Sequence, residues 1–313
     1  MSPMIRAENI TKRYADHTAL NDVSLHIPKG SLYGLLGPNG AGKTTFLRIL
    51  NQIIDPDAGQ VLLDGRPLQR NDIARIGYLP EERGLYKKMA VGDQSLYLAR
   101  LKGLSEAEAK KRLVYWFEKL GMESWWDKKI EELSKGMAQK VQFVTTVLHQ
   151  PEVLIFDEPF SGFDPLAAQQ IREEMLELHR NGTTLLFSTH RMENVEEMCT
   201  HIGLINKSRR VLEGSVADVV RSHRTHRYTV AYQTPDGSPL PLEATAPFHV
   251  VSDDALPSSD WRTGRSLCVQ LTANEGLNHV LSALLPHADV LEAQESVPSM
   301  NDIFIQTVQN AAS

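Results

Sequence analysis

The stretch GLLGPNGAGKTT, Gly34 to Thr45, constrains this chain more than any other. Gly37, Gly42, Lys43 and Thr44 stand in the spacing G-x-x-x-x-G-K-[ST]. The apolar run SLYGLLG ahead of it reads as a buried strand, and TTFLRILNQI behind it as a helix. A glycine-rich loop between strand and helix belongs to an α/β fold. The glycines let the backbone curl so that several N–H groups point inward, and the helix N-terminus adds partial positive charge. Lys43 supplies a cation for β- and γ-phosphates, and the Thr44 hydroxyl suits Mg²⁺. The whole loop is therefore the candidate triphosphate site: Gly37, Pro38, Asn39, Gly40, Ala41, Gly42, Lys43, Thr44 and Thr45. What the nucleotide drives does not follow from the loop.

At 313 residues the chain has room for two domains and a well-buried core. A net charge of -6 gives no electrostatic reason to expect nucleic acid as a partner. Cys199 and Cys268 lie far apart and match no metal spacing, so a reduced, cytosolic setting fits better than a disulfide framework. MSPMIRAENI has no apolar signal-peptide core, and nowhere do about 18 apolar residues run together. Work on a membrane would be done from its aqueous side.

Up to about residue 220, short apolar runs alternate with amphipathic stretches. EVLIFDEP and TTLLFSTH read as central parallel strands whose carboxyl ends carry chemistry. Between them and the first strand, about residues 90–150, lies a helical subdomain. In SEAEAKKRLVYWFEKLG, Ser105 and Glu108 have capping-box spacing, Leu113, Trp116, Phe117 and Leu120 form an apolar stripe, and Gly121 is a stop. Trp116, Trp125 and Trp126 fit the packing of that subdomain better than a binding platform. Composition shifts near residue 222 toward Pro, Ser, Thr and His. A strand (SLCVQLT), a helix (NEGLNHVLSALL), a strand (DVLEAQESV) and a last helix (SMNDIFIQTVQN) follow. The expected division is a nucleotide-binding domain at 1–222 and a small accessory α+β domain at 223–313.

In VLIFDEP, four apolar residues bury the strand and deliver Asp157 to its end, where a carboxylate suits the Mg²⁺ shell. Glu158 then stands where it can polarise a water for attack on the γ-phosphate. An ordinary acidic strand end is the plain alternative if the motif stood alone. It does not. LSKGMAQKVQ, SGFDP and LLFSTH occur around it in order, and with them the chain resembles the nucleotide-binding subunit of ATP-binding cassette (ABC) transporters over about residues 4 to 220. The resemblance implies the following roles. Ser134, Lys135, Gly136 and Met137 are the signature, which acts on the nucleotide of an opposing copy. Asp164 is the D-loop aspartate, His190 the switch histidine, and Tyr14 the aromatic that stacks on adenine. Read alone, Tyr14 is also a plausible strand-end packer, His190 a polar strand end, and Ser134 an ordinary helix N-cap. The resemblance further implies ATP and Mg²⁺ as cofactors, head-to-tail pairing as a homodimer or with another cassette, and a separate membrane permease. One chain would then be half an enzyme.

The chain departs from the family pattern at two places. Glu81, in IGYLPEERGLY, stands where a glutamine is usual. A carboxylate about 4 Å from a phosphate charge costs roughly 4 kcal/mol at an effective dielectric of 20, so Glu81 should sit on the Mg²⁺ with Thr44 and Asp157, or point away until metal arrives. A surface acid before Gly84 is the bland alternative. In the signature, Lys135 and Met137 replace the usual Gly and Gln, while Ser134 and Gly136 keep the hydroxyl and the bare backbone. With the extra C-terminal domain, these departures resemble bacterial ABC-2-type exporter ATPases, especially the sodium-extrusion type, with sodium or drug efflux as implied cargo classes. The expectation is a peripheral ATPase on the cytoplasmic face of a bacterial inner membrane. Lys43, Glu158 and His190 form its catalytic set, and residues 84–89 face the permease. The alternative is a soluble regulatory or remodelling ABC ATPase gated by its C-terminal domain.

Overall fold

The computed structural model describes residues 3–82, 84–240, 248–256, 264–271 and 276–310. The chain divides into two compact units, one running to Val216 and taken up again from Gln306, the other Ala217–Ile305.

The first unit is built on two sheets. Strands β1 (Pro3–Tyr14) and β2 (His17–Pro28) form a long antiparallel hairpin. Strand β3 (Leu32–Leu36) is buried along its whole length and runs into helix α1 (Lys43–Leu50). Strands β4 (Ala58–Leu63) and β5 (Arg66–Pro67) join the hairpin in a four-stranded antiparallel sheet of order β2-β1-β4-β5, a layer with no counterpart in the sequence reading. Strand β6 (Ile76–Leu79) precedes the helical subdomain of α2 (Val91–Leu101), α3 (Glu106–Leu120) and α4 (Lys135–Val147). Then follow β7 (Val153–Asp157), α5 (Pro165–Arg180), β8 (Thr184–Thr189), α6 (Met192–Met198), β9 (His201–Asn206) and β10 (Arg209–Ser215). The main sheet has the order β10-β9-β3-β8-β7-β6, parallel except for β10. Strands β7 and β8 are buried at every position, as apolar runs covered on both faces must be.

One apolar cluster joins Ile5, Leu25, Phe46, Leu47, Ile155 and Leu186, so the antiparallel layer and α1 pack on one face of the main sheet. The helical subdomain packs on the other, through Leu113, Trp116, Phe117, Val144, Phe156 and Phe187. Helix α3 starts where Ser105 accepts from the Glu108 N–H at 3.3 Å and stops at Gly121, whose φ of 66° is left-handed. Trp126 leaves no room for a side chain at Gly92, where a Cβ would lie 2.4 Å from its ring. The tryptophans therefore pack the subdomain, as expected. These layers bring the carboxyl ends of β3, β7 and β8 side by side, with Leu36 opposite Thr189 and Asp157 opposite Ser188.

The second unit contains helix α7 (Val216–Ser222) from Ala217 on, and a four-stranded antiparallel sheet of order β12-β13-β11-β14. Its strands are β11 (Arg227–Gln233), β12 (His249–Ala255), β13 (Arg265–Gln270) and β14 (Asp289–Glu295). Helix α8 (Leu277–Leu284) packs Val280 and Leu284 with Val230, Tyr232, Leu267 and Val269. The helix expected from Asn274 begins at Leu277 here, and Asn274 and Glu275 lie outside the described residues. Helix α9 (Met300–Asn310) ends the described chain.

Candidate functional site

A cleft of about 410 Å³ opens at those strand ends, within the usual range of ligand pockets. It is lined by Tyr14, His17, Ala19, Asn39, Gly40, Gly42, Lys43, Thr44, Thr45, Glu81, Asp157, Glu158, Ser161 and His190. Residues from the β1–β2 hairpin, the glycine loop, the end of β6 and the ends of β7 and β8 thus share one wall.

The loop's shape depends on two glycines. Gly37 has φ 151° and Gly42 φ 111°. A Cβ on Gly37 would lie 2.2 Å from the Ile205 carbonyl oxygen, and one on Gly42 2.3 Å from that of Ala19. Gly42 also precedes the first turn of α1, whose N–H groups face the loop. Lys43 is buried, and its ammonium donates to the carbonyls of Gly37 (2.8 Å) and Pro38 (3.2 Å). Burial lowers its pKa, while the carboxylates of Glu158, Asp157 and Glu81 push it back up. An anionic ligand would supply the countercharge in kind. Ala41 is buried and closes the turn, its N–H bonded to the Pro38 carbonyl at 3.2 Å.

At the end of β7, Asp157 is only 2% exposed. Its Oδ1 accepts the Ser188 hydroxyl at 2.6 Å. Its Oδ2 is buried and has no hydrogen-bond partner among the described residues. A buried carboxylate oxygen calls for one, and a hard divalent cation suits it, so this donor set fits Mg²⁺. No group of three or more acidic, His or Cys side chains that would cage an ion occurs among the described residues. The next residue, Glu158, has a left-handed φ of 51°, uncommon for a residue with a side chain. Its N–H donates to Ser188 Oγ at 2.9 Å, and its Oε1 lies 2.8 Å from His190 Nδ1.

Tyr14 is exposed and lines the cleft, with Lys12 Nζ 5.7 Å from its ring centre. Glu81 is exposed and lines the same cleft. Ser134, Lys135, Gly136 and Met137 are not among the lining residues. They open α4, where Ser134 Oγ accepts from the Met137 N–H at 3.2 Å, with Ser134 and Lys135 exposed. Asp164 caps α5 by accepting from the N–H groups of Ala167 (3.0 Å) and Leu166 (3.1 Å), which lowers its pKa. His17, Ala19, Ser161 and Ser188 were not singled out from the sequence. The first two come from the β1–β2 hairpin, whose pairing no local pattern marks, and Ser188 is buried inside a motif whose local signal is its histidine.

Two family models match the chain: the ABC transporter family over residues 20–161, and the ATP-binding protein DrrA1-3-like C-terminal domain over residues 214–308. The ABC transporter ATP-binding protein YhaQ of Bacillus subtilis (strain 168) is 39% identical over 306 residues, covering 97% of this chain and 98% of its own length. The bacitracin transport ATP-binding protein BcrA of Enterococcus faecalis is 34% identical over 242 residues, 76% of either chain. Among solved structures, an ATP-binding subunit of an ABC transporter superposes with a TM-score of 0.66 at 30% identity, covering 70% of this chain and 92% of its own. The glycine loop, the buried aspartate and the likeness along the whole length agree: this chain belongs to the ABC transporter family, as an ATP-binding subunit with a DrrA1-3-like C-terminal domain.

Proposed function

We propose that the chain hydrolyses ATP as one half of a homodimer and drives export through a separate transmembrane permease. The observation that carries this reading is the split between two surfaces. Lys43, Asp157, Glu158 and His190 share the cleft, whereas the exposed N-terminus of α4, capped by Ser134, lies outside it. A helix N-terminus with a free outer face is an anion site, and a second copy supplies the phosphate.

In this reading Tyr14 stacks on the base, and Gly37 to Thr45 hold the phosphates. Thr44, Asp157 and Glu81 would hold Mg²⁺, which would supply positive charge against the negative charge of the phosphates. Glu158 accepts the proton of the attacking water as its oxygen bonds to the γ-phosphorus and the bond to the β-phosphate oxygen breaks. His190 holds Glu158 and orients the water and the γ-phosphate. Ser134 and Gly136, with Lys135 and Met137 beside them, meet the partner copy's nucleotide, and Asp164 bridges the two sites. Export is supported by the transport role in the name of the BcrA relative. A separate permease is supported by the lack, among the described residues, of a helix long and apolar enough to cross a membrane. Residues 84–89 are proposed to face it, since Tyr86 is 55% exposed and rests its ring edge-on against Tyr97. The position is the cytoplasmic face of a bacterial inner membrane.

Light scattering on the full-length Glu158→Gln variant tests the pairing. With saturating Mg-ATP its mass should double, and Ser134→Arg on that background should return it to the monomer. A variant that stays monomeric with nucleotide overturns the reading.

A further inference from the structure

Ser188 has the chemistry of a shared clamp. It sits in a strand of otherwise apolar and threonine residues, TLLFST, and is fully buried. A buried hydroxyl is unfavourable unless its bonding capacity is used. Parallel register sets it directly beside Asp157. Its one proton goes to Asp157 Oδ1 at 2.6 Å, in the range of charge-assisted O–H···O⁻ bonds. Its oxygen accepts the Glu158 N–H at 2.9 Å. One side chain thus holds two consecutive acids. The first keeps a single uncommitted oxygen, the buried Oδ2. The second is kept in a left-handed backbone conformation from which its carboxylate reaches His190.

We propose that Ser188 is a positioning residue for hydrolysis. It commits Asp157 Oδ1, so that Oδ2 is the oxygen presented to a divalent cation, and it fixes Glu158 where the carboxylate meets His190. It acts through these two residues, and the inference rests on the hydrolytic reading above. Partners of this kind, one bond removed from a metal, are typically worth about 10–100-fold in metal affinity or activity.

The test uses the full-length chain with Ser188→Ala and Ser188→Thr, with Mn²⁺ as the metal probe. Mn²⁺ affinity is read by electron paramagnetic resonance in the presence of ADP, and kcat by steady-state phosphate release. Ser188→Ala should weaken Mn²⁺ binding and lower kcat, each about 10-fold or more, while ADP affinity without metal holds. Ser188→Thr, which restores the hydroxyl, should return both toward wild type. Should Ser188→Ala fail to fold, Ser188→Cys, close in volume but a weak donor, should show the same twin loss. Wild-type Mn²⁺ affinity and kcat in the Ala or Cys variant would overturn the proposal. So would a folded Thr variant as impaired as the Ala one. Glu158→Gln separates the two levels: if it still hydrolyses ATP, the hydrolytic reading fails and this inference with it. If it is inactive while Ser188→Ala is normal, only this inference fails.

Discussion

His190 Nδ1 lies 2.8 Å from Glu158 Oε1, joining the residue after β8 to the residue after β7. The carboxylate is shielded, with a side-chain exposure of 14%, and the imidazole is open at 54%. An ionised carboxylate only accepts, so the ring's Nδ1–H is the donor. A general base needs to be near its proton and held by a third group. Glu158→Gln is therefore expected to bind ATP yet lose about 10²–10⁴-fold in turnover. His190→Ala should fall in the same direction. The double variant should lose little beyond the worse single change, because the pair acts as a unit. Phosphate release beside an ATP-binding measurement checks this, and near-normal turnover in Glu158→Gln refutes the assignment.

Two loop glycines should respond differently to alanine. Gly40, at φ 78°, has no heavy atom within 4 Å of an added Cβ, so Gly40→Ala meets only the left-handed backbone cost of about 1–2 kcal/mol. Gly42, at φ 111°, would drive its Cβ to 2.3 Å from the Ala19 carbonyl oxygen. Backbone there must move, and the loop with it. Thermal melts with and without ATP should show a ligand-induced rise for Gly40→Ala and none for Gly42→Ala. Equal rises in both would count against the loop as the phosphate cradle.

Much of this site was readable from sequence because its chemistry sits at strand ends, where a short apolar run announces the element and the next residue carries the function. Lys43, which opens α1, is marked instead by the glycine spacing ahead of it, while Asp157, Glu158 and His190 follow that rule. Ser188 does not, since its meaning comes from the register of β8 against β7, a long-range fact that no local pattern encodes. The same holds for His17 and Ala19, brought to the cleft by a hairpin whose alternation is broken by register shifts. In the second unit, the Pro, Ser and His around β11 and β12 read as loop from the sequence alone. Cross-strand pairing with β13 is what makes them strands.

His149 makes stability depend on pH. Burial, aided by the positive charges of Lys102 and Arg112, lowers its pKa from 6.5 to about 4. Between those values the unfolded chain holds more protons than the folded one, so stability rises with pH there and falls as pH drops from 6.5 toward 4. His149→Gln removes this titration. Over that window wild type should lose about 1–3 kcal/mol more than the variant, measured by urea unfolding of both proteins. Parallel losses would show that His149 does not titrate in this way.

Glu81 offers a test with opposite signs in its two arms. It lines the cleft beside Lys43 and Asp157, and its charge is among those acting on Lys43. Without metal, a carboxylate there repels the phosphates. With metal between them, the same charge attracts. Glu81→Gln should therefore tighten ATP binding in the presence of a chelator, by roughly 10-fold if the repulsion relieved is about 1.4 kcal/mol. It should also raise the Mg²⁺ concentration needed for half-maximal turnover. A surface acid would leave both quantities unchanged, and a purely repulsive one would tighten ATP without altering the Mg²⁺ requirement. Only an acid that takes part in holding the metal moves the two in these directions, so titrating ATP under chelation and Mg²⁺ under turnover decides its role.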